Sequence, residues 1–428
     1  MVTHSLKKPI ILWVLASLFF AFQFILRLSA GILREEIIQR FAIDTIAFGT
    51  LAGYYYLGYA GMQIPIGIML DKFNFRFVTF ISIVITSIGT LTFVASDTFC
   101  YLLIGRLMIG AGSAVGFLSI VKITKSYFPA KYHSLMLGFS FTFGLIGAVF
   151  GVTPMKILFE HFGYDYSFNF LAAVGFIIGI LILIVKSDEE ILNNHNKESY
   201  NISQIFKLLF NPRILLIGIS GGLMVGALEG FADVWAMPFF NQIYRMDIIN
   251  SSLVTSFVYI GMCFGGPILA LAAEWLRSSN LIIITTGLLT ATIFGILLYF
   301  PALNFFYSSL LMFLLGIFCC YQVLIFTIVS NLVDNVYAGL AIAIVNCINM
   351  SLGHFFHKFI SILITSNWDG GINEFGVPIY SRYDFTIALS LIPICCLIGA
   401  GGFVWLSRKA RLLQSQANEG GNLLEQQT

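Results

Sequence analysis

The chain has 428 residues, of which 58% are hydrophobic and only 10% charged, with a formal net charge of +2. Soluble domains carry roughly 25% charged residues, so there is too little charge here to cover a water-facing surface, and a soluble enzyme is all but excluded. The small net charge offers no basic face for nucleic acid, and long continuous apolar segments, in place of ~10-residue alternating strands, argue against a β-barrel and for an all-α membrane protein.

A membrane helix needs ~20 apolar residues to cross ~30 Å of hydrocarbon. The basic start, Met1 to Lys8, runs into Pro9–Ser29 without a small-residue cleavage site, so it reads as an uncleaved first span. Thr45–Leu70, Phe77–Ala95, Phe99–Ser126, Ser134–Leu158 and Asp165–Val185 follow. Next comes the longest polar segment between spans, Lys186–Arg213, with Asp188-Glu189-Glu190 and Pro212. Beyond it lie Ile214–Phe240, Ser251–Glu274, Leu281–Phe300, Leu303–Ser330, Ala338–Ile364 and Phe385–Leu406. The expected architecture is therefore twelve transmembrane helices in two pseudo-symmetric six-helix bundles, at 9–185 and 214–407. A cytoplasmic linker at 186–213 joins them and a cytoplasmic tail at 408–428 ends the chain. Two repeated halves are the organisation of many transporters. The tail from Ser415 lacks apolar periodicity and reads as disordered.

Loop charge sets the orientation. With the N-terminus inside, most loop cations, among them Lys7, Lys8, Lys72, Arg76, Arg213, Arg277 and Arg408, fall on the cytoplasmic side. Arg34, Arg40, Arg245 and Arg382 fall outside, so both termini are expected in the cytoplasm. The seven cysteines lie in or beside apolar segments, with no CxxC pair and no zinc spacing, and read as small buried hydrophobes.

The sharpest motif joins spans two and three: Gly67-Ile-Met-Leu-Asp71-Lys72-Phe-Asn74-Phe-Arg76. Gly67 is expected to let helices approach closely. Asp71, at a helix end, can accept bonds from another helix's N-terminal amides. Lys72 and Arg76 are expected to hold the loop at the anionic inner surface, and Asn74 tolerates left-handed dihedrals where a glycine would be usual. Span four carries Arg106-Leu-Met-Ile-Gly110-Ala-Gly112. An intramembrane arginine is costly, so Arg106 is expected to face a cavity or a partner. Span five is rich in glycine and then holds Pro154, and Trp235 with Pro238 suggests a kink near the outer end of span seven.

Buried charge maps function in membranes. Glu229 and Asp233 lie four residues apart on one face of span seven. Arg27 on span one lies at the same depth within a turn, at ~1.5 Å per residue. Arg27, Arg106, Glu229 and Asp233 are therefore expected to form one charged ring in the outer half. One of the two acids would then hold a substrate ammonium or exchange a coupling proton. Tyr56 and Gln63 share a face of span two with Gly67, either as packing or as substrate contacts. Lys122 either snorkels or lines the cavity, and His354 and His357 read as bonded packing histidines.

The loop at Gly67–Arg76, with Arg106-x3-Gly-x-Gly on span four, resembles the signature of the major facilitator superfamily. The stretch from Arg27 to Gly31 and from Tyr54 to Gly67 looks like the branch that holds lysosomal-type dipeptide transporters and their bacterial relatives. The resemblance implies rocker-switch alternating access around a central site. The function expected is secondary active symport of a small polar or zwitterionic solute, dipeptide or amino-acid-like, coupled to protons. An organic anion held by Arg27 and Lys122 is the alternative. A channel and a membrane-bound enzyme are rivals of another class, but no filter, HExxH, GxSxG or phosphate loop supports them. No cofactor or metal is implied. The expected setting is the lipid bilayer of a bacterial inner membrane, as a monomer.

Overall fold

The computed structural model describes residues 7–425 apart from 96, 130–131, 186–201, 301–302, 335–336 and 375. The side chains at 71, 134, 202 and 410–425 also lie outside the described residues. Much of the expected linker falls in that gap, and its end is the short helix Ile202–Leu209.

In the first half, span 1 is Lys7–Ile32, span 2 Thr45–Lys72, span 3 Phe75–Val94 and span 4 Phe99–Ser113 with Val115–Tyr127. Span 5 is His133–Phe150 with Thr153–Phe162, and span 6 Tyr164–Ile184. In the second half, span 7 runs through Pro212–Leu223, Gly226–Trp235 and Ala236–Ile243. Span 8 is Ile248–Trp275, span 9 Ser279–Tyr299, span 10 Phe305–Cys319 with Tyr321–Ser330, span 11 Ala338–Thr365 and span 12 Arg382–Glu425. Ten of these, with the bent fifth as an eleventh, are apolar and long enough to cross a bilayer by themselves. Span 2, at 28 residues, is long enough too, but it carries three consecutive tyrosines and Gln63. Its polarity follows from its place, because it packs along span 11 between the halves instead of facing lipid.

Besides the breaks at Ala114 in span 4 and Cys320 in span 10, three spans depart from the helices expected. Span 5 bends by 44° between Phe150 and Thr153. Pro154 sits in the first turn of the second piece, where its missing N–H costs nothing. In span 7 the irregularity comes earlier than Pro238: Gly226–Trp235 is a π-helix that contains both acids. Span 12 does not stop at the membrane edge but continues as helix to Glu425, which corrects the disordered tail. The stretch after Trp405 is rich in Arg, Lys, Ala, Leu and Gln, all good helix formers.

Packing repeats between the halves. Spans 2 and 4, 3 and 6, and 1 and 5 pair in the first half; 8 and 10, 9 and 12, and 7 and 11 pair in the second. Gly110 stands eleven residues past the start of span 4, and Gly316 eleven past the start of span 10. A Cβ at Gly110 would run into the backbone of Tyr55, and one at Gly316 into that of Val258. Each glycine thus lets two helix backbones touch.

Across the halves, span 2 meets span 11, span 5 meets span 8 and span 1 meets span 7. These contacts gather at the end bearing the loops after spans 1, 7 and 11, the closed end. There Thr153 Oγ1 meets Ser252 Oγ at 3.1 Å, and the Tyr380 hydroxyl donates to Thr45 Oγ1 at 2.5 Å. At the other, open end, Gly67, Gly138, Gly266 and Gly339 have nothing among the described residues within 4 Å of where a Cβ would stand. The close helix approach expected at Gly67 is therefore not made in this conformation.

Candidate functional site

The site lies where spans 1, 2, 7 and 8 cross. Arg27 comes from span 1 of the first half, and Glu229 and Asp233 from the π-helical turn of span 7 in the second. Arg27 Nε donates to Asp233 Oδ2 at 2.7 Å, and its Nη2 donates to the Glu229 carboxylate. All three are buried, Glu229 to 1% exposure. Gly31, one turn beyond Arg27, lies so close to the Asp233 backbone that any side chain there would collide with it. That approach brings the guanidinium within reach of both acids. A buried ion pair survives only when its remaining lone pairs are also met, and two tyrosines meet them. Tyr56 donates its hydroxyl to Asp233 Oδ2, and Tyr259 donates to Oδ1 at 2.7 Å. The Arg27 guanidinium also lies 5.1 Å from the Tyr56 ring and 5.4 Å from that of Phe24.

Of the expected ring, Arg27, Glu229 and Asp233 come together, and Tyr56 joins them. Arg106 is 2% exposed and makes no ion pair among the described residues. Its Nη1 and Nη2 donate to the carbonyls of Leu26 at 2.7 Å and Arg27 at 2.5 Å, and its guanidinium lies 5.0 Å from the Tyr55 ring. It holds span 1 from behind. Gln63 is buried, with its Oε1 without a hydrogen-bond partner among the described residues. Lys122 is half-buried in the open-end part of span 4, ~24 Å from Arg106 along the helix. The expectation for His357 does not hold: its ring packs 5.0 Å from that of Tyr56, and neither nitrogen has a partner among the described residues.

The signature loop is arranged differently from the expectation. Asn74 has φ −57°, so it is not left-handed; it caps span 3, its side chain accepting from the Arg76 amide at 3.0 Å. Arg76 Nη1 donates to the Val185 carbonyl at 3.2 Å, at the C-terminal end of span 6, where a cation suits the helix dipole. Gly67 and Lys72 close span 2, and the side chain of Asp71 lies outside the described residues.

Two residues of this region carry no sequence flag of their own. Tyr259 stands eleven residues past the start of span 8, as Tyr56 stands eleven past the start of span 2. Aligning the two halves would have found it. Arg34, at the start of the short helix Arg34–Phe41, is 1% exposed and sits among the rings of Trp235, Tyr380 and Phe48. Burial pushes its guanidinium below the ordinary value, opposed by the neighbouring Tyr380 and Glu35.

Comparison with known proteins agrees with this architecture. The family described as Major Facilitator Superfamily matches residues 12–357. An uncharacterized transporter of Bacillus subtilis, YybO, is 25% identical over 56% of this chain and 60% of its own. The probable galactarate/D-glucarate transporter GudP of Escherichia coli is 23% identical over 62% of this chain and 66% of its own. The chain thus spans under two thirds of the length of these relatives. Among solved structures, a bacterial homolog to the human lysosomal transporter Spinster, inward-facing and unoccupied, superposes with a TM-score of 0.69 at 16% identity, over 95% of this chain and 98% of that one. The nucleoside transporter NupG gives 0.69 at 13%, over 93% and 98%.

Proposed function

The chain belongs to the Major Facilitator Superfamily as a transporter of small solutes, and from that premise we propose that it carries a zwitterion, dipeptide or amino-acid-like, in step with protons. One observation carries the reading: a single arginine of the first half holds two carboxylates of the second. A zwitterion replaces both sides of that contact at once, with its carboxylate on Arg27 and its ammonium on Asp233 or Glu229. A proton on either acid removes part of the attraction that holds Arg27 and biases the closed end toward opening. The distribution of loop cations supports cytoplasmic termini and an open end on the same side, and on that reading the conformation is inward-open. In the alternate state the loop at Gly67, Asp71, Lys72 and Arg76 would close that end.

A second reading, an organic acid as cargo, also has support. One relative is named a probable galactarate/D-glucarate transporter and another a putative tartrate transporter. A solute carboxylate would take Arg27, with Lys122 on its way to the open end.

Uptake into proteoliposomes, with and without an imposed pH gradient, tests both. Wild type, Glu229→Gln and Asp233→Asn are compared for a labelled dipeptide and for tartrate, normalised to folded protein. Gradient-driven dipeptide accumulation that one variant loses, while it keeps counterflow exchange, is the expected result and marks the proton site. Tartrate accumulation in its place selects the second reading. Gradient dependence intact in both variants sinks the coupling. Impermeant labelling of single cysteines at Ser5 and Asn373 checks sidedness, with only Asn373 expected to react from outside.

A further inference from the structure

We propose that Arg34 is a positioning residue that forms, with the rings around it, a second lock on the closed end, tied to the charged site through the π-helical turn of span 7. The charged site and this cage are separate layers. Arg34 belongs to the first half, and two of its three rings belong to the second: Trp235 at 5.5 Å and Tyr380 at 5.9 Å, with Phe48 of the first half at 6.0 Å. The cage is held from both sides. The Tyr380 amide donates to Gln242 Oε1 at 2.9 Å, and its hydroxyl donates to Thr45 Oγ1 at 2.5 Å.

The guanidinium is held by the rings and by two hydroxyl neighbours, those of Tyr380 and Thr45. Its Nη2 lies 3.5 Å from Thr45 Oγ1, and its Nε and Nη1 are buried with no hydrogen-bond partner among the described residues. A cation over aromatic faces gains most when desolvated, yet buried N–H groups without acceptors are costly. The closed cage therefore gains ring contact at the cost of unpaired donors, whereas parting the rings gives up that contact and lets water hydrate the same donors. A small cleft of about 20 Å³, room for about one water, lies beside the cage and is lined in part by Gly31, Arg34, Glu35, Lys156 and Asn241. The cage therefore has two arrangements instead of a graded one, as a gate requires.

Asp233 and Trp235 stand two residues apart on the same π-helical turn, Gly226–Trp235. Displacing Asp233 from Arg27 carries Trp235 with it and so opens the cage. Arg34 acts on the gate through Trp235 and Tyr380, without touching the acids.

The test uses purified full-length protein in detergent, in a cysteine-free background, with two reporters. Ser252→Cys sits buried at the closed end, where Ser252 now meets Thr153. Gly339→Cys sits exposed at the open end. Rates of reaction with a water-soluble maleimide are measured at each. Arg34→Gln is expected to raise the rate at position 252 on the order of tenfold, with the rate at position 339 unchanged or lowered. Arg34→Lys, which keeps a cation over the rings, is expected to stay nearer the wild-type rate. Should Arg34→Gln fail to fold, Tyr380→Leu breaks the cage from the other half and is expected to give the same pattern. An unchanged rate at position 252, or a parallel rise at both positions from a loosened fold, overturns the proposal.

Discussion

Spans 1 and 7 hold equivalent places in the two halves, and at nearly the same depth one carries Arg27 and the other Asp233. Spans 2 and 8 hold equivalent places too, and there both halves carry a tyrosine on the same carboxylate. The scaffold repeats; the charge reverses. The helix form also differs, because the base sits on an uninterrupted α-helix and the acids on a π-helical turn. The first half braces its charged span with a cation, the second with the Tyr321 hydroxyl of span 10, which donates to the Gly221 carbonyl of span 7 at 2.8 Å. Arg106 lies seven residues past the start of span 4, and seven past the start of span 10 stands the apolar, fully buried Met312. The comparison teaches that two bundles alike in their packing pairs hold a charged cluster at their centre that is not alike in the two.

The largest test breaks the reversal of charge. Arg27→Gln leaves two carboxylates buried without their cation, a loss of about 3–5 kcal/mol. Folded yield and melting temperature should fall sharply and uptake should vanish. Adding Glu229→Gln should recover part of the yield but not the uptake. Next comes the asymmetry at spans 4 and 10. Arg106→Met gives the first half the apolar residue of the second and takes one charged donor from each of the Leu26 and Arg27 carbonyls. It should lower stability by about 1.5–3 kcal/mol, read as a shift in thermal unfolding. The shared tyrosines sharpen the likeness of the halves. Tyr56→Phe and Tyr259→Phe each remove one bond to Asp233 and should cost about 1.5 kcal/mol apiece. Melting temperatures that differ widely between the two would deny the equivalence. The smallest effect belongs to Arg40 and Asp165, paired at 2.9 Å, with Arg40 38% and Asp165 67% exposed. The hydrogen bond it donates to Asp165 holds the Arg40 guanidinium above its usual value. A surface pair still contributes little, so Arg40→Ala should change stability by under ~0.5 kcal/mol and leave uptake intact.

Much of this was legible before any coordinates. Hydrophobic runs located the spans because bilayer thickness dictates their length. Arg27 and Asp233 could be matched because helical rise converts residue number into depth. Other features were hidden for physical reasons. Arg106 binds backbone carbonyls, which every sequence supplies and none displays. Arg34 looks like a loop cation until tertiary packing closes aromatic rings from distant parts of the chain around it. The π-helical turn has no composition of its own, and a carboxylate pair four apart reads as ordinary α-helix. Asn74 serves as a cap, a role that needs its side-chain oxygen more than its tolerance of unusual dihedrals.

The reversed charge also governs which bundles can associate. Were each half made as a separate polypeptide, two copies of the first would bring arginine against arginine at the centre, and two copies of the second would crowd four carboxylates together. Neither homotypic pair satisfies its buried groups, whereas the mixed pair does. The switch at the centre is therefore also a recognition code, one that rejects self-pairing by repulsion while the surrounding helix faces remain mutually compatible.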